Sequence, residues 1–386
     1  MSTDLLRNVS VVGIGQIPVL KNNPDPLRKM GAQAARLAME DAGVEQVDAL
    51  FVGNMLADEL QNQKHVATLI ASEIGLRGIE AVQARAATAS GAAALRMAYL
   101  AVASGEARIA MALGVEKMSS SLVTPILAKA LDANIETESG ATLISQNANM
   151  MQLYLDRYGI KADEFNTFPL VAHNNARTNP NALFKNKRVF GRTIKKSKVL
   201  FPPLRLYDAS PLSDGAAAVI LTRSGEARAY TDHPVHLLSS SVATDWFRVA
   251  DREDPLRLYA AEKSAYDAFR KANINKNDIN LFEAHDAFSI MACLQIEAAG
   301  FANPGEGWRL AKEGQTRLRG KLPLSTFGGL KARGHPIGAT ALYQTCEIVL
   351  QLIERAGKNQ VKNAEVALTQ SIGGAGSTII THIFGV

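Results

Sequence analysis

The chain has 386 residues, 47% of them apolar and 20% charged, with a net charge of +5. That length suits two packed α/β units or one large domain, and every apolar stretch is interrupted short of the roughly 18 residues that suggest a membrane span. The only cysteines, Cys293 and Cys346, exclude a disulfide framework, and no metal-ligand spacing occurs.

Residues 9–14 read as a strand ending in glycine, 26–42 as a helix and 47–52 as a second strand. A helix over 65–74, a strand over 80–87, an Ala-rich helix over 91–104 and a strand over 109–114 follow. This alternation predicts a largely parallel sheet covered on both faces. From residue 235 the scheme recurs: strand 235–240, helix 255–273, strand 279–283, helix 290–299, helix 338–353 and strand 366–370. Each cysteine lies in an apolar helical pattern, which favours buried filler over chemistry. Residues 1–10 lack both a secretory apolar core and an Arg/Ser-rich transit pattern, so a cytoplasmic location is expected.

The recurrence is visible in residues too. Ala42-Gly43-Val44 before Leu50-Phe51 parallels Ala272-Asn273-Ile274 before Leu281-Phe282, with one residue inserted. Thr88-Ala89-Ser90-Gly91-Ala92-Ala93-Ala94-Leu95 aligns without a gap on His335-Pro336-Ile337-Gly338-Ala339-Thr340-Ala341-Leu342. Two registers in the same order indicate duplicated βαβ-type halves. The expected divisions are 1–116, an insertion over 117–208, a connecting stretch over 209–234, and 235–386. In open α/β sheets ligands sit where helix N-termini point their free N–H groups, so Thr88 and His335 stand at candidate site positions.

In Gly334-His335-Pro336-Ile337-Gly338, proline suits a first helical turn and the glycines permit close approach, so His335 reads as an oriented base or as a cap of its own helix. His285 follows a strand end in Glu283-Ala284-His285-Asp286-Ala287-Phe288; its imidazole can donate to a thioester oxygen, with Asp286 or Glu283 setting the tautomer. The bend Ser371-Ile372-Gly373-Gly374-Ala375-Gly376-Ser377 offers backbone N–H groups to an oxyanion, or is only a hairpin turn. Lys185, Lys187, Arg188, Arg192, Lys195, Lys196 and Lys198 fall within 14 residues free of acids. They form either a solvated loop or a contact for a polyanion, nucleic acid or nucleotide phosphates.

These segments resemble the thiolase family, in particular its sterol-carrier-protein-linked and archaeal-type branches. The likeness lies in Thr88-Ala89-Ser90-Gly91, His285-Asp286-Ala287-Phe288, Gly334-His335-Pro336-Ile337-Gly338 and Ser371-Ile372-Gly373-Gly374. It also extends to Gly114-Val115-Glu116-Lys117-Met118 and Ser210-Pro211-Leu212-Ser213-Asp214-Gly215. The resemblance implies a thiolase fold with five αβαβα layers and a loop-domain insertion over the acyl-CoA cleft. It implies coenzyme A as cosubstrate with no permanently bound cofactor or metal, a homodimer or larger oligomer, and no nucleic-acid partner. By position it makes His335 the base, His285 part of one oxyanion hole, and the backbone N–H groups of Thr88 and Gly373 the other. It turns Lys185, Lys187 and Arg188 toward coenzyme A phosphates.

Thr88 and Ser371 stand where the family carries its two catalytic cysteines. A threonine hydroxyl is far less acidic than a thiol, and an ester at oxygen is a stabler trap than a thioester. Three functions remain open: an enzyme making or breaking carbon–carbon bonds in CoA thioesters without a covalent acyl intermediate; a binding subunit beside an OB-fold zinc-ribbon partner; and residual acetyl-CoA acetyltransferase activity through Thr88.

Overall fold

The computed structural model describes residues 9–119 and 123–386. Residues 1–8, most of the stretch read above as lacking a targeting pattern, lie outside them.

In chain order the first part contains β1 (Val9–Gln16), α1 (Leu27–Ala42), β2 (Ala49–Gly53), α2 (Ala57–Leu60), α3 (Val66–Ile74), β3 (Glu80–Ala84), α4 (Ser90–Ser104) and β4 (Ile109–Glu116). The insertion holds α5 (Val123–Ala128), α6 (Leu143–Tyr158), α7 (Thr167–Ala176), α8 (Gly191–Lys195) and the short pair β5 (Val199–Phe201) and β6 (Leu204–Arg205). Then come β7 (Gly215–Arg223), β8 (Val235–Thr244), α9 (Tyr259–Ala272), β9 (Leu281–Ala284), α10 (Ser289–Ala298), α11 (Gly307–Lys312), α12 (Thr340–Leu352), β10 (Val366–Gly373) and β11 (Thr378–Gly385).

Nine strands form one sheet in the order β3-β2-β4-β7-β1-β8-β11-β10-β9. Read inward from either edge, the two ends repeat one plan. β2, β4, β7 and β1 correspond to β9, β10, β11 and β8, and a parallel bridge from Phe282 to Leu324 takes the place of β3. Among the described residues, only Ser10 with His236 and Val11 with Val235 pair across the middle.

The sheet is mixed, which corrects the expectation of a largely parallel one. β7 and β11 run antiparallel to both neighbours. β7 returns after the long insertion and β11 after a tight hairpin, so neither uses the helical crossover that parallel neighbours require. Helix–strand alternation elsewhere concealed these two return strands.

Packing gives five layers. α1 and α3 cover the outer face of the first half, and α9 and α10 that of the second. α4 and α12 lie between the two halves of the sheet with Leu95, Leu342 and Tyr343 in one core cluster. α12 is buried on every side, as its apolar and Gln/Thr-rich sequence requires of a central helix. The two helix starts that share a register in sequence also meet in space. A Cβ on Gly91 would lie 2.5 Å from the Gly338 carbonyl oxygen, and one on Gly338 would lie 2.6 Å from that of Gly53. Only glycine permits this approach. Both cysteines are free and buried, Cys293 in α10 and Cys346 in α12.

Candidate functional site

β3 stops at Ala84, short of the expected 87, because Ala87 adopts the left-handed conformation with φ of 48°. Such a φ is strained for a residue with a Cβ. The Ser90 hydroxyl fixes the turn by donating to the Ala87 carbonyl at 2.6 Å and accepting from the Ala86 N–H at 3.1 Å. Thr88 is thereby presented just before α4. Its hydroxyl donates to the carbonyl of Ile372, 2.5 Å away.

His335 lies before a 3₁₀ turn, Ile337–Ala339, that leads into α12. Its backbone N–H donates to the Ser213 hydroxyl at 2.9 Å, and its Nδ1 lies 2.7 Å from the Thr340 hydroxyl. That hydroxyl donates in turn to the Pro336 carbonyl at 3.2 Å. In the tautomer where the threonine proton stays on that carbonyl, Nδ1 is the donor and Nε2 keeps a free lone pair. Under the same loop the buried Glu116 carboxylate accepts from the Gly338 N–H at 3.0 Å, the Asn54 amide at 2.8 Å and the Met55 N–H at 3.0 Å. Burial pushes its carboxyl up to about 7, against the pull of those donors.

His285 follows β9 and is locked by Gln295, whose amide accepts from the His285 N–H at 3.0 Å and donates to its carbonyl at 3.0 Å. The rings of His285 and His335 meet edge to face, with centroids 5.0 Å apart. Burial, helped by Lys331 and Arg333, drives His285 down to about 3; burial with His285 and Arg333 holds His335 well below the usual imidazole range. Both rings are neutral at pH 7.

Neither acid beside His285 sets its tautomer, contrary to the sequence reading. Glu283 accepts from the Thr326 N–H and hydroxyl at 2.7 and 2.6 Å, and Asp286 accepts from the Leu330 N–H at 2.7 Å and pairs with Lys331 at 3.4 Å. Both carboxylates are thus committed to groups other than the His285 ring.

Thr88, His285 and His335 line one cavity of about 320 Å³. Ile372 and Gly374 line it as well, but Ser371 and Gly373, flanking Ile372, do not. The Ser371 hydroxyl is buried without a partner among the described residues. Of the three basic residues turned toward phosphates, Lys187 reaches the wall, with its ammonium 4.7 Å from the Phe184 ring centre. Lys185 donates to the Pro180 carbonyl at 3.2 Å, and Arg188 lies over Phe190. Arg192, Lys196 and Lys198 line a neighbouring hollow that shares Leu206 and Tyr207 with the cavity. Lys195 is paired with Asp163 at 2.7 Å.

The sequence reading missed three contributors to this site. Thr340 lay unremarked within the repeat register, while His173 and Lys331 belong to no motif. A histidine in an α7 pattern that otherwise buries Phe168, Val171 and Ala172 was the available signal for His173.

The thiolase N-terminal domain family model matches residues 9–202, and the thiolase C-terminal domain-like model matches residues 241–386. The chain belongs to the thiolase family. It is 42% identical over 382 residues to an acetyl-CoA acetyltransferase of Methanothermobacter thermautotrophicus, covering 98% of this chain and 100% of the relative. It is 29% identical to human sterol carrier protein 2, covering 97% of this chain and 72% of that protein. Among solved structures, the Ltp2-ChsH2(DUF35) aldolase superposes with a TM-score of 0.86 at 20% identity, over 98% of each chain. Within this thiolase, no helix of the described residues is long and apolar enough to cross a membrane.

Proposed function

We propose that this thiolase-family chain makes or breaks carbon–carbon bonds beside a CoA thioester without acylating itself. The observation that carries the reading is the hydrogen bond of Thr88. A hydroxyl nucleophile needs a base on its proton. The Thr88 proton is held by a peptide carbonyl, which cannot take it, while the His335 Nε2 lone pair is left to the cavity.

The remaining groups suit enolate chemistry. His335 takes a proton from the carbon next to the thioester, and the electron pair moves onto the thioester oxygen. The neutral His285 donates to that oxygen as its charge develops; a donor fixed in a low-dielectric site needs no reorganisation at that moment. Lys187 and the hollow lined by Arg192, Lys196 and Lys198 supply the positive charge that the phosphates of coenzyme A require.

A working assembly with a second copy and with an OB-fold zinc-ribbon partner fits the same reading. Trp246 and Tyr266, exposed by 66% and 65%, leave aromatic surface on the second half for such a contact. The superposing aldolase is itself a complex with a DUF35 protein.

The test is Thr88→Val, assayed for carbon–carbon cleavage of β-hydroxyacyl- and β-ketoacyl-CoAs together with intact protein mass. The reading requires that the variant keep most of its activity and that the wild type carry no acyl adduct during turnover. An adduct on wild type that disappears in Thr88→Val would instead establish acyl transfer through the threonine.

A further inference from the structure

The cavity has two unlike walls. The halves supply Thr88, His285 and His335, while the insertion supplies a mainly apolar face that includes Leu127, Leu143 and Ile144. His173, on α7, interrupts that face. It is 2% exposed, and its Nδ1 is sealed without a partner among the described residues, so Nε2 is the nitrogen left for a bound molecule.

Its mount is rigid. The ring sits between Phe184 and Tyr207, with centroid distances of 5.2 and 5.1 Å. Asn175 donates to the Ser325 carbonyl at 3.0 Å, and Asn179, just past α7, donates to the Phe327 carbonyl at 3.0 Å. A Cβ on Gly328 would lie 2.6 Å from the Ala176 Cβ, so α7 rests directly on the loop before Lys331. Burial, with the nearby Lys187 and Lys331 cations, lowers His173 to about 4. It is therefore neutral at pH 7 and can donate from Nε2 without bringing a charge into the cavity.

A plain alkyl chain against this wall leaves a buried nitrogen unpaired, whereas an oxygen on the chain satisfies it. Leaving such a group unpaired is what makes polar sites selective. We propose that His173 is a specificity-determining residue that binds an oxygen on the acyl group beyond the thioester, at the third carbon. This rests on the reading of the cavity as the acyl site, and it adds a recognition group that the insertion supplies. The shared ligand chemistry is a C3 oxygen, ketone or hydroxyl.

The experiment measures binding without turnover. Kd values for acetoacetyl-CoA, 3-hydroxybutyryl-CoA and butyryl-CoA are determined on the full chain in the absence of free CoA. Wild type should bind at least one oxygenated thioester about tenfold more tightly than butyryl-CoA, the range of one hydrogen bond to a buried site. His173→Phe keeps an aromatic ring between Phe184 and Tyr207 and should bring the three within about twofold. His173→Leu, which cannot overfill the space and offers no hydrogen bond, is read in the same way. Equal binding by wild type, or a preference that survives both substitutions, overturns the proposal while leaving the acyl-site reading intact. If wild type binds none of the three, the acyl-site reading falls and this proposal with it.

Discussion

At the first helix entrance Thr88 gives its proton to the Ile372 carbonyl; at the second, His335 Nδ1 meets the Thr340 hydroxyl, which leaves Nε2 for the cavity. The two entrances are otherwise matched, with Gly91 packed against Gly338 and each segment leading into a central helix. Duplication supplied a pair of equivalent positions facing one cavity. On the proposed reading one of them is inert and the other basic, so that a scaffold symmetric in plan carries a site asymmetric in function.

The strongest way to break this contrast is to remove the basic side. His335→Ala should lower turnover by about 10² to 10⁴, the usual worth of a positioned acid–base group. Thr340→Val, which frees the tautomer without removing the ring, should cost less and act on kcat more than on KM. Equal losses from Thr88→Val and His335→Ala would show that the entrances are not functionally different.

Converting the inert side is the second test. Thr88→Cys places a thiol at a helix entrance in the same cavity, where such settings lower a thiol pKa toward neutrality. It should form an acyl adduct detectable by intact mass and gain thiolytic activity with acetoacetyl-CoA and CoA. The Ser371 hydroxyl is buried outside the cavity lining, so adding Ser371→Cys should leave that gain nearly unchanged.

These contrasts were only partly legible in the sequence. The register of residues 88–95 on 335–342 disclosed the paired entrances, because a glycine required by close approach leaves a fixed mark at both positions. Thr88, His285 and His335 were legible through their flanking motifs. The direction of a hydroxyl proton was not, since it depends on the Ile372 carbonyl 284 residues away. His173 and Lys331 were hidden for the same reason: packing of α7 on the loop before Lys331 is tertiary. The mixed sheet escaped because β7 and β11 return without a helix.

A smaller effect sharpens the structural half of the comparison. Gly338→Ala forces a Cβ against the Gly53 carbonyl and should destabilise the fold by about 1–3 kcal/mol, seen as a lower Tm. Gly357→Ala tests a different cost. Its Cβ would meet nothing within 4 Å, but its φ of 57° is strained for alanine, so its loss comes from backbone and not from packing.

The pH dependence carries the smallest signal. Glu116, raised to about 7 from 4.5, binds more protons folded than unfolded, so its contribution to stability is lost as pH rises between those values. His285 and His173, lowered to about 3 and about 4, act oppositely, and stability from them grows as pH rises toward 6.5. Glu116→Gln should therefore flatten only the falling component in urea titrations from pH 4.5 to 7, and turnover should show no histidine ionisation between pH 6 and 8.

The central claim is that His335, and not residue 88, starts the chemistry. It is tested most directly by deuterium exchange at the carbon next to the thioester, followed by mass spectrometry of acetyl-CoA incubated with the protein in D₂O. Wild type and Thr88→Val should both incorporate deuterium with no acyl adduct on the protein, and His335→Ala should not exchange. Exchange that persists in His335→Ala but vanishes in Thr88→Val would contradict the account.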